Sequence, residues 1–153
     1  MGSEKPAERP ASLDGPQMSD EQTRAQVVEP AKRLVASAGL QVRGATFEFD
    51  SCTDQEVAPY RGQVGMGFTF PAGVDPQAYL DQIVAAMRAD GWRDGAPSGK
   101  QPHGRAMNLG EVMAIIAANP DHPDRGYIEI YGECRNAGDH SADEQDIRAE
   151  LTS

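Results

Sequence analysis

The strongest constraint on the fold is the order in which two kinds of hydrophobic periodicity follow each other along the chain. A helical period begins after Ser19, which can form a capping box with Gln22, and is followed by two runs of alternating apolar residues. A second helical period, opened by Asp75, is followed by two more strand-like runs. This order predicts an α+β fold of two helix-strand-strand units, with an antiparallel four-stranded sheet and two helices on one face.

Composition divides the chain into three parts. Residues 1–18 are rich in Pro, Glu, Ser and Gly and lack apolar periodicity, which predicts a flexible leader or tether. Residues 19–135 carry the periodic pattern and are predicted to form a single α+β domain. Residues 136–153 are predicted to be an acidic C-terminal tail, in which Ile147 and Leu151 could belong to a short last turn.

The charge distribution disfavours nucleic acid as a partner. The formal net charge is -10, and the Lys and Arg residues are scattered singly rather than clustered. Binding to a phosphate backbone, or to an anionic lipid surface by charge, needs clustered basic residues. The sequence also contains neither an apolar run long enough to span a membrane nor a signal peptide. Contact with a membrane is therefore expected only through an attached lipid anchor.

The second strand-like run, GQVGMGFTF, places glycines on one of its faces. Gln63, Gly65, Gly67 and Thr69 alternate with the apolar residues of this run. Glycine weakens a strand through backbone entropy, so its presence here has two explanations. Either these positions lie under a crowding neighbour, or they form a flat strip against which another protein lies. We take these four residues as the candidate partner surface.

Few residues in the sequence point to catalysis. Cys52 could act as a nucleophile with a histidine base, but His103, His122 and His140 all lie in polar, turn-like stretches. Asp139 and His140 could form a pair of base and orienting group, although adjacent loop residues more often cap a turn or stay solvated. We therefore expect a protein that is not an enzyme.

Motifs for cofactors are also weak. GQVGMG lies within a strand pattern, and GAPSGKQ has neither the spacing nor the hydroxyl residue of a phosphate-binding loop. Asp121, His122 and Asp124 offer too few oxygen ligands for calcium. We expect neither a cofactor nor a metal.

An alternative function is the binding of a small ligand or a cell-wall fragment. Such a ligand would need a pocket between the helices and the sheet, for which Phe47, Phe49, Phe68 and Trp92 are the candidate lining residues. The same four aromatic residues could instead form an ordinary core.

The two cysteines, Cys52 and Cys134, each follow a strand-like run, one in each half of the pattern. We predict a disulfide between them, which in the chain-entropy model would contribute about 4–5 kcal/mol. Two free thiols, a metal site or a nucleophile are the competing interpretations, although two cysteines without neighbouring His or Cys are too few for structural zinc. A disulfide implies an oxidising compartment outside the cytoplasm.

Three segments carry a resemblance to a known class of protein. They are the helix ending MRADGWRD, the hairpin GEVMAIIAANPDHPDRGYIEIYGECRN and the pair Asp139–His140. Over about Ser19 to His140 the chain resembles the small exported lipoprotein domains of actinobacteria with a YGECRN-type C-terminal strand. Among these it is similar to the CseA-type accessory lipoproteins of streptomycete cell-envelope-stress signalling systems.

This resemblance implies a location and a role. The domain would be held at the outer face of the cell membrane by a lipid on an N-terminal cysteine, which is absent from this sequence. It would bind an envelope protein, the sensor domain of a histidine kinase in a two-component system, and act as a negative regulator without chemistry of its own.

Overall fold

The structure is a computed structural model and describes residues 15–53, 57–95, 105–137 and 144–152. Helices and strands alternate along the chain in the order α1 (Asp20–Ala38), β1 (Gln41–Ser51), β2 (Tyr60–Thr69), α2 (Pro76–Ala89), β3 (Arg93–Asp94), β4 (Arg105–Leu109), β5 (Val112–Ala118), β6 (Arg125–Tyr131), β7 (Glu144–Asp146) and α3 (Arg148–Leu151). The predicted α+β class is confirmed.

One antiparallel sheet holds all seven strands, in the order β3-β4-β5-β6-β2-β1-β7. The four predicted strands are β1, β2, β5 and β6, and they form the centre of this sheet. The predicted total of four is therefore wrong, because β3 and β4 extend one edge and β7 extends the other. Gly110, with φ +65°, turns the chain between β4 and β5, so the run that contains both strands is a hairpin rather than one strand.

The two long helices begin where the sequence predicts. The side chain of Ser19 accepts a hydrogen bond from the Gln22 backbone amide at 3.1 Å, and the Ser19 backbone amide donates one to Gln22 Oε1 at 2.9 Å, which completes the capping box. Asp75 accepts from the Ala78 amide at 3.0 Å and Pro76 takes the first helical position. None of the described helices has the length and apolar character needed to cross a membrane.

The core lies between the helices and one face of the sheet. Alternate side chains of the central strands are fully buried there, and the apolar stripes of α1 and α2 pack onto them. The main contributors are Val27, Leu34, Phe47, Val64, Phe68, Ile83, Met87, Ile116, Ile128 and Ile130. The intervening residues of β1, β2 and β6 point to the other face and stay partly exposed. We call this other face the open face.

The last described segment belongs to the domain. β7 pairs with β1 and the Ile147 amide donates to the carbonyl of Ala45 at 3.0 Å. Ile147 and Leu151 are 2% and 4% exposed. Burial of these two apolar side chains holds residues 144–152 against the fold, so the domain extends beyond the predicted boundary at residue 135.

Candidate functional site

Cys52 and Cys134 form the predicted disulfide, with their Cα atoms 6.2 Å apart. The bond joins the end of β1 to the segment that follows β6, two neighbours of β2 in the sheet. Cys52 therefore has no thiolate with which to attack a substrate, and its predicted alternative role as a nucleophile is wrong in this state.

A buried asparagine beside the disulfide was not found from the sequence. Asn136 is 1% exposed and exchanges two backbone hydrogen bonds with Tyr60 at the start of β2. Its side-chain amide donates to the Met18 carbonyl at 3.3 Å, to Asp20 Oδ1 at 2.8 Å and to Thr23 Oγ1 at 3.3 Å. The segment after Cys134 thus fixes the beginning of α1.

Of the other candidates for catalysis or metal binding, only those in the turn before β6 belong to the described residues. His122 lies in the exposed turn before β6 with Asp121 and Asp124, while His103, Asp139 and His140 lie outside the described residues. Across the described ranges, no group of three or more His, Cys, Asp or Glu residues is arranged to hold a metal ion.

The aromatic residues proposed to line a ligand pocket belong to the core. Phe47 and Phe68 are 0% exposed and Trp92 is 4% exposed, and Phe49 packs against this cluster with its ring 5.0 Å from that of Phe47. The pocket predicted for the alternative function is therefore occupied by the core's own side chains.

The candidate partner surface lies in the middle of the open face. Gln63, Gly65, Gly67 and Thr69 are all partly exposed, and β2 is paired with β1 on one side and β6 on the other. A partner cannot add a strand to β2, because both of its edges are already hydrogen-bonded. Contact with this surface must be made face to face.

Neither packing nor backbone conformation requires the two glycines of this surface. A Cβ atom at Gly65 would lie 3.9 Å from Thr46 Oγ1, and one at Gly67 would lie 3.9 Å from the Gly126 carbonyl oxygen, both ordinary contacts. Neither glycine has a positive φ. Gly126 is different, since a Cβ there would lie 2.5 Å from Phe68 Cζ. The explanation by crowding thus fails for Gly65 and Gly67.

Larger side chains flank the bare backbone of these glycines. On the neighbouring strand β6, Glu129 pairs with Gly65 and Tyr127 pairs with Gly67. On the next strand, Ile115 pairs with Glu129. The central open face is formed by Thr46, Glu48, Gln63, Gly65, Gly67, Ile115, Ala117, Tyr127, Glu129 and Tyr131, all of them partly exposed. The result is a shallow strip of backbone, bordered by Tyr127 and Glu129 on the β6 side and by Thr46 and Gly44 on the β1 side.

One end of the open face carries a fixed polar cluster around Tyr131. The Arg61 guanidinium lies over the Tyr131 ring, 4.3 Å from its centroid, and its Nε donates to Asp50 at 2.7 Å. The Tyr131 hydroxyl donates to Glu129 at 3.1 Å. Burial, with the charge and hydrogen bond of Glu129, raises the pKa of Tyr131 to about 12. Tyr131 therefore remains a neutral donor throughout the physiological range.

Comparison with known proteins identifies the family. A family model described as "Putative lipoprotein LppJ" matches residues 19–153. The lipoproteins LppJ of Mycobacterium tuberculosis and of Mycobacterium bovis are each 43% identical to this chain over 128 residues, which are 84% of this chain and 67% of the relative. The chain thus spans about two thirds of the length of these relatives. No solved structure matches it.

Membership of a lipoprotein family implies export to the cell envelope, which agrees with the disulfide. The predicted resemblance to small actinobacterial lipoproteins is confirmed in this general form, while the narrower likeness to the CseA type stays a prediction. From the match over residues 19–153 and the identity to the mycobacterial proteins, this chain belongs to the family of the lipoprotein LppJ.

Proposed function

We propose that this protein is a non-enzymatic, extracytoplasmic binding domain whose open face contacts another protein of the cell envelope. The observation that carries the proposal is the pair Gly65 and Gly67. Glycine in a strand costs stability, and neither neighbouring atoms nor backbone torsions require it at these positions. A partner that lies close to the backbone of β2 would explain why both positions are glycine.

The residues around the two glycines support a protein partner. Beside the strip lie the side chains of Tyr127, Tyr131 and Ile115, which remain partly exposed to solvent. The described helices cover the opposite face of the sheet and do not bury these side chains. Aromatic side chains are enriched in protein interfaces because they bury a large area at a low cost in conformational entropy. The Arg61 and Glu129 contacts hold Tyr131 in one orientation before any partner binds.

The disulfide and the family support the location. In this proposal the domain is held at the outer face of the membrane by a lipid anchor, and the segment before α1 connects the two. The open face would then meet the extracytoplasmic part of a membrane protein.

We propose further that the partner is the sensor domain of a histidine kinase in a cell-envelope-stress system, and that binding restrains its signalling. This narrower role is supported by the YGECRN segment after the PDRG turn and its likeness to CseA-type accessory lipoproteins. The YGECRN segment contains Cys134, which joins the end of β6 to the end of β1, and Asn136, which joins it to the beginning of α1. These contacts maintain the sheet that presents the open face.

A deletion strain of the native host tests this role. Removal of the gene is expected to raise the basal output of an envelope-stress reporter, and the wild-type gene should restore it. Gly67→Arg should fold but fail to restore it, because the new side chain would project from the open face. Ala85→Arg, at an exposed position of α2, should restore it fully. An unchanged output after deletion would rule out the kinase role.

A further inference from the structure

Three of the four described basic side chains without an ion pair lie near one edge of the sheet. Among the described residues, Lys32, Arg43, Arg93 and Arg148 are the basic residues that form no ion pair. Arg43 and Arg148 line the same groove, and Lys32 lines an adjoining one that shares Thr152. This concentration is notable in a chain whose formal net charge is -10.

The groove lies where β1 begins, β2 ends and α3 packs beside them. Its volume is about 550 Å³, within the range of small-ligand sites, and its lining residues are Gln41, Val42, Arg43, Thr69, Arg148 and Thr152. No carboxylate lines the groove within the part of the chain that is described. The groove is therefore both positively charged and rich in hydrogen-bond donors.

Arg148 is held in place by its own contacts. Its Nε donates to the carbonyl of Val42 at 3.2 Å, at the free edge of β1, and its backbone amide donates to Asp146 Oδ1 at 3.1 Å. Its two terminal nitrogen atoms make no hydrogen bond with any described residue. The guanidinium is thus fixed by one nitrogen and keeps its two terminal nitrogens, with four N–H groups, available to a ligand.

Arg43 and the hydroxyl of Thr69 complete the donor set. Arg43 is exposed, and its Nη1 makes only a long contact of 3.5 Å to Thr69 Oγ1. The hydroxyl of Thr152 donates to the carbonyl of Arg148 at 2.9 Å and so holds the last turn of α3 beside the groove. Asp146 is the nearest acid among these contacts, and it accepts the backbone amide of Arg148 rather than the guanidinium.

We propose that this groove binds a phosphate group, with Arg43 and Arg148 as its charged donors and Thr69 as a neutral one. A guanidinium group can donate two parallel hydrogen bonds to the oxygens of one phosphate. A tetrahedral phosphate has enough acceptor oxygens for both arginines and a hydroxyl. A carboxylate has two oxygens, which a single arginine can satisfy. The groove adjoins the open face at Thr69, but this inference does not depend on a protein partner.

Titration with inorganic phosphate, followed by NMR of the folded domain, tests the site. Amide signals of Arg43, Thr69, Arg148 and Thr152 should shift and saturate. Arg43→Gln should weaken binding about tenfold or more, because it removes a charged donor that has no strong contact in the fold. Arg93→Gln is the matched control, since Arg93 is also exposed and unpaired but lies on the short strand β3 at the other edge of the sheet. Arg148→Gln serves as a second variant, with its folding checked by thermal unfolding.

Vesicle flotation then separates two sources of the phosphate group. Binding to phosphatidylglycerol vesicles that is lost in Arg43→Gln and kept in Arg93→Gln would assign the site to lipid headgroups. Saturable phosphate binding without vesicle binding would assign it to a free or polymer-borne phosphate. Absence of saturable shifts in the groove at millimolar phosphate, or equal weakening by Arg43→Gln and Arg93→Gln, would overturn the proposal.

Discussion

The glycines of β2 and β6 fall into two groups at the scale of single residues. Gly126 is required by packing, because a Cβ atom there would meet Phe68 Cζ at 2.5 Å. Gly62 is similar, since its Cβ would lie 2.7 Å from the Thr23 carbonyl oxygen. A Cβ atom at Gly65 or Gly67 would make only an ordinary contact, at 3.9 Å. The first group therefore serves the fold, and the second is free to serve an interaction.

Alanine substitutions should separate these two groups. Gly126→Ala is expected to lower the free energy of unfolding by about 1–3 kcal/mol, because the buried Phe68 ring must move. Gly67→Ala should leave it unchanged or raise it by up to about 1 kcal/mol, because the unfolded chain loses entropy and no clash is introduced. Urea unfolding of both variants provides the comparison. Equal destabilisation would show that Gly67 has a structural role after all.

At this scale the sequence predicts which cysteines pair, but it does not predict which atoms surround a given residue. Cys52 and Cys134 could be paired because both follow alternating runs, which places them at strand ends. The role of Gly65 could not be decided, because it depends on distances to residues on other strands. Asn136 and Arg148 were missed since both lie beyond residue 135, where the hydrophobic periodicity is weak.

At the scale of secondary-structure elements, the docking of α3 is the feature that most needs explanation. A four-residue helix has little stability of its own. Arg24 of α1 donates two hydrogen bonds to the carboxylate of Glu150, at 2.6 and 3.0 Å, and one to Gln145 at 3.0 Å. With the burial of Ile147 and Leu151, these contacts join α1, β7 and α3.

This ion pair predicts a pH dependence of stability. The hydrogen bond from Arg24 lowers the pKa of Glu150 below its usual range, against the opposing effect of burial. A carboxyl group whose pKa is lowered by folding stabilises the folded state above its unfolded pKa, and this contribution is lost as the pH falls through the folded value. Wild type should therefore melt at a higher temperature than Glu150→Gln at pH 7, and the difference should shrink as the pH falls below the ordinary pKa of a glutamate.

The measurement is the melting temperature of each variant at pH 7 and at a series of lower pH values, with Glu111→Gln as the control. Glu111 is exposed in the turn before β5, so its substitution makes the same change of charge without removing a contact of α3. A difference between wild type and Glu150→Gln that stays constant with pH would contradict the role given to the ion pair.

The elements that the sequence missed are short. The runs of β1, β2, β5 and β6 have 7 to 11 residues. Three of them are recognised by a period of two, and β5 by Pro120 and the turn residues that follow it. β3 and β7 have 2 and 3 residues, which is too few. β4 was merged with β5 because the turn at Gly110 contains only two residues. Short strands at a sheet edge are defined by the neighbour they pair with, and single-sequence periodicity does not contain that information.

At the scale of the whole molecule, the disulfide should contribute a large share of the stability. Its loss is expected to lower the free energy of unfolding by about 2–5 kcal/mol, since it closes a long loop between two neighbours of β2. Denaturant unfolding with and without reductant measures this loss, and a Cys52→Ser/Cys134→Ser variant should be insensitive to reductant.

The state of the cysteines in the native host can be read separately. Under denaturing conditions, both should be alkylated only after reduction, as shown by intact mass. Alkylation without reductant in protein taken from the envelope would contradict the oxidised state and weaken the case for its extracytoplasmic role.

In the described part of the chain, the helices cover one face of the sheet and leave the other available. The described helices and the core lie on one side of β2, while Gly65 and Gly67 lie on the other. The sequence predicted this arrangement in outline, because alternation along β2 assigns apolar residues to one face and Gly, Gln and Thr to the other. Which protein uses the open face cannot be deduced from periodicity, because a partner's surface leaves no regular pattern in this chain.

Photocrosslinking in the native host tests most directly whether the open face binds an envelope protein. A photoreactive amino acid would replace Gly65 or Gly67, where the structure leaves space, or Ala85 on the exposed side of α2 as the control, in the lipid-anchored protein. Both glycine positions should give an adduct with the same envelope protein, identified by mass spectrometry, and Ala85 should give none. No adduct from either glycine position, or the same adduct from Ala85, would contradict it.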